Sequence, residues 1–184
     1  MYINDMLAVE RDLTNAVSGQ MEDEAVKAEP DILALLNEIF ADSVARAERL
    51  RELTTQLHGE MGAAVKEAIA SAAGTLAGLY GSLRKHPISR MLRDDHVALN
   101  LAAVAYGMLH TTALAYEEPE VAAAALLHLD SLPGQILQLG HLIPEAVVKE
   151  LVADYPQAQV HAIDTARRNI ENAWDNATLT EVVV

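Results

Sequence analysis

Residues 96–115 read HVALNLAAVAYGMLHTTALA and carry no Asp, Glu, Lys or Arg. A helix that is apolar almost all round belongs either in a bilayer or in the middle of a helical protein. Four polar side chains interrupt this run, and charges of both signs precede it between residues 90 and 95. The four are Asn100, His110, Thr111 and Thr112. Because such groups disfavour a bilayer, we predict a helix over residues 87–116 inside a soluble bundle, with no membrane span.

The composition of the chain favours one helical domain. Its 184 residues are 51% hydrophobic, with many Ala and Leu and few Gly and Pro. A chain of this size can bury a core without covalent links, and this balance of residues favours helices. The chain has no cysteine, which excludes thiolate metal sites, disulfides and catalytic thiols.

The charge of the chain restricts its partners. The formal net charge is −14 at pH 7, whereas nucleic-acid binding relies on clustered Lys and Arg. The N-terminus, MYINDMLAVERDL, has acidic residues where a secretory signal needs a positive region and an unbroken apolar one. We therefore expect no nucleic-acid partner and a cytoplasmic location.

Helical periodicity divides the chain into four long helices and two shorter ones. The long helices are predicted at residues 4–20, 30–58, 87–116 and 120–142, and the shorter ones at 145–155 and 157–174. Residues 60–84, rich in small side chains, are predicted to form a crossover helix between the second and third long helices. A connection of this length suits two helices that run parallel.

Prolines set the predicted boundaries near the C-terminus. The pair Pro133-Gly134 is expected to bend or interrupt the fourth long helix, because proline cannot donate to the helical ladder. Pro144 and Pro156 are each expected to precede one of the shorter helices. On this basis residues 1–150 form the bundle, and residues 151–184 form a helical C-terminal arm and tail.

Three stretches of the sequence carry a resemblance to a known family. They are DMLAVERDLTNAV at residues 5–17, RAERLRELTTQL at residues 46–57 and LNLAAVAYGMLHTTALA at residues 99–115. In order and spacing, over roughly residues 2–142, the chain resembles the YciE/YciF family of ferritin-like bacterial proteins. The resemblance implies a ferritin-like four-helix bundle with a dimetal-type centre inside, usually in a dimer, and a stress-related role.

The ligands of a dimetal centre are mostly missing from this chain. Such a centre needs a Glu from each of two helices and a Glu-x-x-His pair from each of the other two. Side chains three residues apart lie on one helix face and converge on one ion. No Asp or Glu of this chain is followed by a His three residues later.

The resemblance assigns the family's ligand positions one by one. They hold Glu10 on the first helix, Ser43 and Arg46 on the second, Leu99 and Ala102 on the third, and Asp130 and Pro133 on the fourth. Two carboxylates, Glu10 and Asp130, remain. Two carboxylates can hardly hold two ferrous ions in a site that also needs nitrogen donors and open positions for oxygen, so we expect no metal and no ferroxidase activity.

A carboxylate in the apolar stripe of the first helix needs a partner. Burying Glu10 without compensation would be costly unless it were protonated. We predict an ion pair between Glu10 and Arg46 that replaces the metal, with another donor or a protonated carboxyl as the alternatives.

The histidines do not form an obvious metal site. His96, Asn100 and His110 lie in one broad sector of the long helix, but His96 and His110 are about 21 Å apart at the standard rise. Each would need ligands from another helix, such as His128 or His141. Hydrogen-bonded histidines in the core or at its boundary are the preferred interpretation.

Three hypotheses of function follow from these observations. The first is a non-catalytic ferritin-like structural or interaction protein that forms a homodimer and needs no cofactor. The second is an enzyme or storage protein for iron or manganese with an altered centre built from Glu10, Asp130 and a histidine such as His128. The third is a binding module with an apolar interior pocket for a small ligand. No serine has a recognisable catalytic base and no glycine-rich loop follows a strand, so no catalytic residue is nominated.

Overall fold

The computed structural model describes residues 2–56 and 87–175. Within these ranges the chain forms six α-helices and no strand, which confirms the predicted all-α class. The helices are α1 Tyr2–Met21, α2 Glu24–Lys27, α3 Pro30–Gln56, α4 Ile88–Ala115, α5 Pro119–Asp154 and α6 Ala162–Asp175. The crossover predicted at residues 60–84 lies outside the described residues.

The long helices form because their apolar side chains recur at helical spacing. In α1 the buried side chains are three or four residues apart, as Met6, Val9, Leu13 and Val17 illustrate. In α3 the same spacing buries side chains from Ile32 to Leu53. Each stripe faces the neighbouring helices, so its burial supplies the main favourable free energy of the fold.

The helices pack so that each long helix contacts two others. α1 lies along α3 and also beside α4, while α5 lies along α4 and also beside α3. A hydrogen bond from Gln20 to Asp95 joins the end of α1 to the start of α4. In the middle of α1, Glu10 accepts a hydrogen bond from Ser43 of α3. A further bond joins Tyr106, late in α4, to Glu10. α4 is therefore antiparallel to α1.

The helix α5 is antiparallel to α3, because Gln135 meets Asp42 and Lys149, further along α5, meets Glu29 just before α3. It is also antiparallel to α4, whose start and end contact the end and start of α5, so α3 and α4 run in the same direction.

The turn between α4 and α5 lies where the sequence predicts a break. Glu117 has a φ of 56°, and the backbone N–H of Glu118 donates to the Ala113 carbonyl at 2.9 Å. These two features end α4 with a left-handed residue of the Schellman type. Pro119 then occupies the first position of α5, where its missing N–H costs nothing.

The predicted interruption near the C-terminus is wrong. α5 continues through Pro133 and through Pro144, so the two helices predicted at residues 120–142 and 145–155 are one. A proline inside a helix costs about 3 kcal/mol, but packing against α4 along its length offsets that cost here. Leu132 and Leu139, for example, are fully buried. The predicted domain boundary at residue 150 therefore falls within a continuous helix.

The C-terminal helix begins later than predicted. Residues 155–161 form turns, and α6 starts at Ala162 instead of residue 157. No side chain of α6 is buried, and the helix is held to α5 by Arg167. The Arg167 guanidinium lies 2.8 Å from the Glu145 carboxylate and donates to the His141 carbonyl at 2.9 Å.

The apolar stretch at residues 96–115 forms the greater part of α4. By length and composition alone α4 could cross a membrane, and it is the one such helix among the described residues; 33% of its apolar window is buried inside the protein. The buried side of α4 faces α1 and α5, with Leu99, Ala102 and Tyr106 fully buried.

Candidate functional site at the buried Glu10 carboxylate

The centre of the molecule holds a fully buried carboxylate. Glu10 follows Met6 by one turn of α1, so its side chain lies on the helix face that enters the core, and its exposure is 0%. Three side chains donate hydrogen bonds to the Glu10 carboxylate, two from α3 and one from α4. Tyr106 Oη lies 2.7 Å from Oε1, Arg46 Nε lies 2.8 Å from Oε1, and Ser43 Oγ lies 2.6 Å from Oε2. Both carboxylate oxygens are thus engaged.

The predicted Glu10–Arg46 ion pair is present. The side chains of the two residues are 0% and 3% exposed, so the pair is shielded from water. Arg46 Nη1 also reaches Ser131 Oγ on α5 at 3.3 Å, and Ser131 in turn donates to the His128 carbonyl at 2.8 Å. The guanidinium therefore links α1, α3 and α5.

Tyr106 acts as a neutral donor in this cluster. Burial raises the pKa of the Tyr106 phenol strongly, and the nearby Glu10 charge raises that pKa further. The hydroxyl therefore stays protonated and donates a hydrogen bond to the carboxylate. The Tyr106 ring also packs on the His128 ring, with centroids 5.3 Å apart and planes tilted by 57°.

His128 is the neutral imidazole of the cluster. Burial lowers the pKa of His128, and together with the smaller effects of the Arg46 and Arg49 charges it brings that pKa to about 4. At neutral pH the cluster accordingly contains one negative and one positive group, with Tyr106 and His128 uncharged. His128 Nε2 and Arg46 Nη2 are buried and have no hydrogen-bond partner among the described residues.

This arrangement does not suit a metal ion. The carboxylate oxygens that would bind a cation instead accept hydrogen bonds from a guanidinium and two hydroxyls. The positive charge of Arg46 also repels any cation placed beside it. Within residues 2–56 and 87–175, no group of three or more His, Cys, Asp and Glu side chains is placed to hold an ion.

The altered metal centre suggested by the sequence is only partly assembled. Glu10 and His128 both adjoin Tyr106 and Arg46, so the structure brings these two residues into one cluster. Asp130 is exposed on α5. Two residues correspond to about 200° of rotation on a helix, so a buried His128 turns Asp130 away from the core.

The five positions at which the family resemblance expects a ligand and this chain has none fall into three groups. Ser43 and Arg46 lie on the face of α3 that meets Glu10 and supply donors to it. Leu99 and Ala102 are fully buried among aliphatic groups. Pro133 is exposed on the outer side of α5.

The remaining histidines of the long helices lie apart from this cluster. His96 is half-buried, and burial lowers its pKa; Asn100 lies 3.3 Å from its Nδ1. His110 Nδ1 is 2.8 Å from the Ala122 carbonyl, at the other end of α4. His141 is exposed, 3.4 Å from Glu171 of α6. His96 and His110 thus each have a polar neighbour at the boundary of the core, whereas His141 lies on the surface.

Sequence reasoning missed Tyr106 as a member of the cluster. An aromatic residue in an apolar stretch is usually a core residue, but Tyr106 lies one turn after Ala102 and two turns after Leu99. Its placement on that helix face is a signal that could have identified it. The buried pair in which Gln135 Nε2 donates to Asp42 Oδ2 at 2.8 Å was also missed.

A cavity among the described residues lies at the ends of three helices. It measures about 240 Å³ and lies where α3 and α4 begin, near the end of α5. Carboxylates line it together with aliphatic groups. One of these carboxylates, that of Glu150, is already bound to the backbone N–H of Ser89 at 2.8 Å and to the hydroxyl of the same serine at 2.6 Å.

Comparison with protein-family models, with curated proteins and with solved structures gives no match.

The state of His128 predicts a pH dependence of stability. The pKa of His128 is about 4 in the folded protein, whereas an unperturbed histidine has a pKa of 6.5. The unfolded chain therefore binds more protons between these two pH values. The free energy of unfolding should therefore fall as the pH is lowered from about 6.5 to about 4. His128 should contribute about 1–3 kcal/mol to that loss of stability. This figure is smaller than the free energy that corresponds to the full pKa shift, because water partly reaches the imidazole and screens its interactions.

Urea denaturation at several pH values between 4.5 and 7.5 measures this contribution. His128→Phe keeps a ring of similar size against Tyr106 and leaves every other histidine in place, so it is the matched control. We expect the variant to lose less stability than the wild type on acidification. Parallel pH profiles for the two proteins would contradict the assignment.

Proposed function

We propose that this protein is a non-catalytic structural or interaction protein of the ferritin-like class, in which a buried ion pair occupies the centre of a four-helix bundle in place of metal ions. The observation that carries the proposal is the Arg46 guanidinium on the fully buried Glu10 carboxylate. The cytoplasmic location and stress-related role that the sequence suggests belong to the same proposal.

The directions of the helices support the ferritin-like topology. α1, α3, α5 and α4 contact one another in a closed ring. α3 and α4 run in the same direction, so the end of α3 and the start of α4 lie at opposite ends of the molecule, about 40 Å apart by the length of α3. Residues 57–86 join these two ends. One long connection between parallel helices is the feature that separates ferritin-like bundles from simple up-and-down ones.

The chemistry of the centre supports the absence of a metal-based reaction. Arg46 lies where the family resemblance places a ligand histidine, and it supplies a fixed positive charge and hydrogen-bond donors instead of a lone pair. Ser43, at the matching carboxylate position, also donates to Glu10. These substitutions complement a single carboxylate, which is what a stable metal-free centre requires.

Metal analysis of the purified protein tests the proposal. Protein prepared without chelator should contain iron and manganese at well below one ion per chain. About two ions per chain, as in a dimetal centre, would overturn the proposal in favour of an altered metal centre.

A designed variant provides the positive control for that measurement. The double change Ser43→Glu and Arg46→His creates a Glu-x-x-His pair on α3 beside Glu10, so it should take up added Mn²⁺ or Co²⁺ more tightly than the wild type. Circular dichroism establishes that the variant is folded before binding is measured.

We also propose, as part of this function, that two copies of the chain associate. A protein that acts through interactions needs a surface for them, and α4 exposes large apolar side chains such as Val104, which is 63% exposed.

A further inference from the structure

The outward side of α4 carries a regular apolar seam. Val97, Val104 and Met108 are 43%, 63% and 46% exposed, and Leu101 is half-buried beside them. Successive members are four, three and four residues apart. This alternation is the a/d spacing of a helix that packs along another helix.

The seam differs from the other outer surfaces of the molecule. The exposed positions of α1 and α3 include charged side chains such as Arg11, Glu38 and Arg51. Residues 96–116 have no such charge, although the whole chain carries −14. Two copies of so acidic a protein would repel each other over most of their surface, so the uncharged seam is where they can approach.

The helix packed along α4 also exposes large apolar side chains. Leu126, Leu127 and Leu137 of α5 are 43%, 67% and 66% exposed. At 1.5 Å per residue and about 10 Å per helix, the two helices offer a surface about 25 Å by 20 Å, or on the order of 500 Å² in projection. Protruding side chains bring its accessible area towards the ~800 Å² per partner of a standard interface.

We propose that the α4 seam is the surface through which two copies associate, with the α4 helices of the two copies packed antiparallel about a two-fold axis near Val104. A two-fold interface uses the same patch on both molecules, so the patch must complement itself. About an axis near Val104, Val104 meets its own copy, Leu101 lies level with Gly107 of the second copy, and Val97 lies level with Thr111. Gly107 has no atom within 4 Å of the position of an added Cβ, so a neighbouring helix can approach there closely.

This inference rests on the self-association proposed above and is independent of the Glu10 centre. The full chain has no cysteine, so each introduced cysteine is a unique site for a short bis-maleimide crosslinker. Val104→Cys should crosslink to itself, because the two thiols lie on either side of the axis. Val97→Cys should not, because its two copies would be about 21 Å apart, but it should crosslink to Thr111→Cys in a mixture.

Ala45→Cys, on the exposed side of α3, is the matched control. Crosslinking of Val104→Cys should exceed that of Ala45→Cys on the order of 100-fold at micromolar protein. Within a dimer the second thiol is present at an effective millimolar concentration. Light scattering on wild-type protein should give the mass of a dimer, and Val104→Glu should shift it to that of a monomer.

The possible failures separate the two proposals. A monomeric wild type would overturn both the self-association and the seam, and flotation of that monomer with phosphatidylcholine vesicles would assign the seam to lipid instead. A dimer in which Val97→Cys crosslinks to itself, or in which Ala45→Cys crosslinks as well as Val104→Cys, would overturn the seam alone.

Discussion

Replacing Glu10 by alanine should lower the free energy of unfolding by about 3–5 kcal/mol. The change removes the only described counter-ion of Arg46, which would remain buried with its charge uncompensated. Tyr106 and Ser43 would also lose their carboxylate acceptor, although Ser43 keeps the Glu10 backbone carbonyl at 3.0 Å. Urea denaturation at pH 7 measures the loss.

An exposed ion pair provides the control for this prediction. Arg49 and Glu52 lie 3.0 Å apart on the surface of α3, with side chains 41% and 63% exposed. Arg49→Ala should change stability by no more than about 0.5 kcal/mol, because water screens such pairs. A loss below about 1 kcal/mol in Glu10→Ala would mean that Arg46 finds another partner or reaches water.

The central ion pair could be predicted because the sequence places a charged side chain among the apolar core positions of α1. A carboxylate at a core position of α1 requires a donor, and Arg46 is a cation within the predicted second helix. Its further contacts could not be predicted. Ser131 reaches Arg46 only because α3 and α5 pack antiparallel at this level, and no local pattern encodes which residues of two distant helices meet.

The errors in the predicted extent of α5 have one physical cause. Proline disfavours a helix interior because it lacks a backbone N–H and its ring clashes with the preceding turn. A prediction from sequence alone ends the helix at the proline on account of this local cost. In α5 the cost at Pro133 and Pro144 is met by tertiary packing, since residues on both sides of each proline are buried against other helices.

The polar cluster gives the packing of the helices a unique register. A slip of α1 by one turn would move Glu10 by about 5 Å and leave Glu10 and Arg46 as two separated buried charges. Aliphatic contacts alone tolerate such shifts more readily, because they lack direction. The centre therefore contributes specificity even where its net contribution to stability is small.

Replacing Arg46 by leucine should also cost about 3–5 kcal/mol at pH 7, now because the Glu10 carboxylate is left buried without its counter-ion. This loss should shrink as the pH falls, since protonation of the carboxyl removes the uncompensated charge and the folded chain then binds more protons than the unfolded one. The difference in stability between wild type and variant, measured by urea denaturation at pH 7.5 and pH 4.5, tests both statements.

The double variant Glu10→Leu, Arg46→Leu separates the loss of the pair from the exposure of one charge. It removes both ions and should be more stable than either single variant, because hydrophobic groups can replace a buried ion pair at little cost. A remaining deficit of about 1–3 kcal/mol is expected from the Tyr106 hydroxyl, which loses its acceptor, and a third change, Tyr106→Phe, should remove that deficit. Additive losses from the two single changes would show that Glu10 and Arg46 do not act as a pair, and that the centre is held together by some other contact.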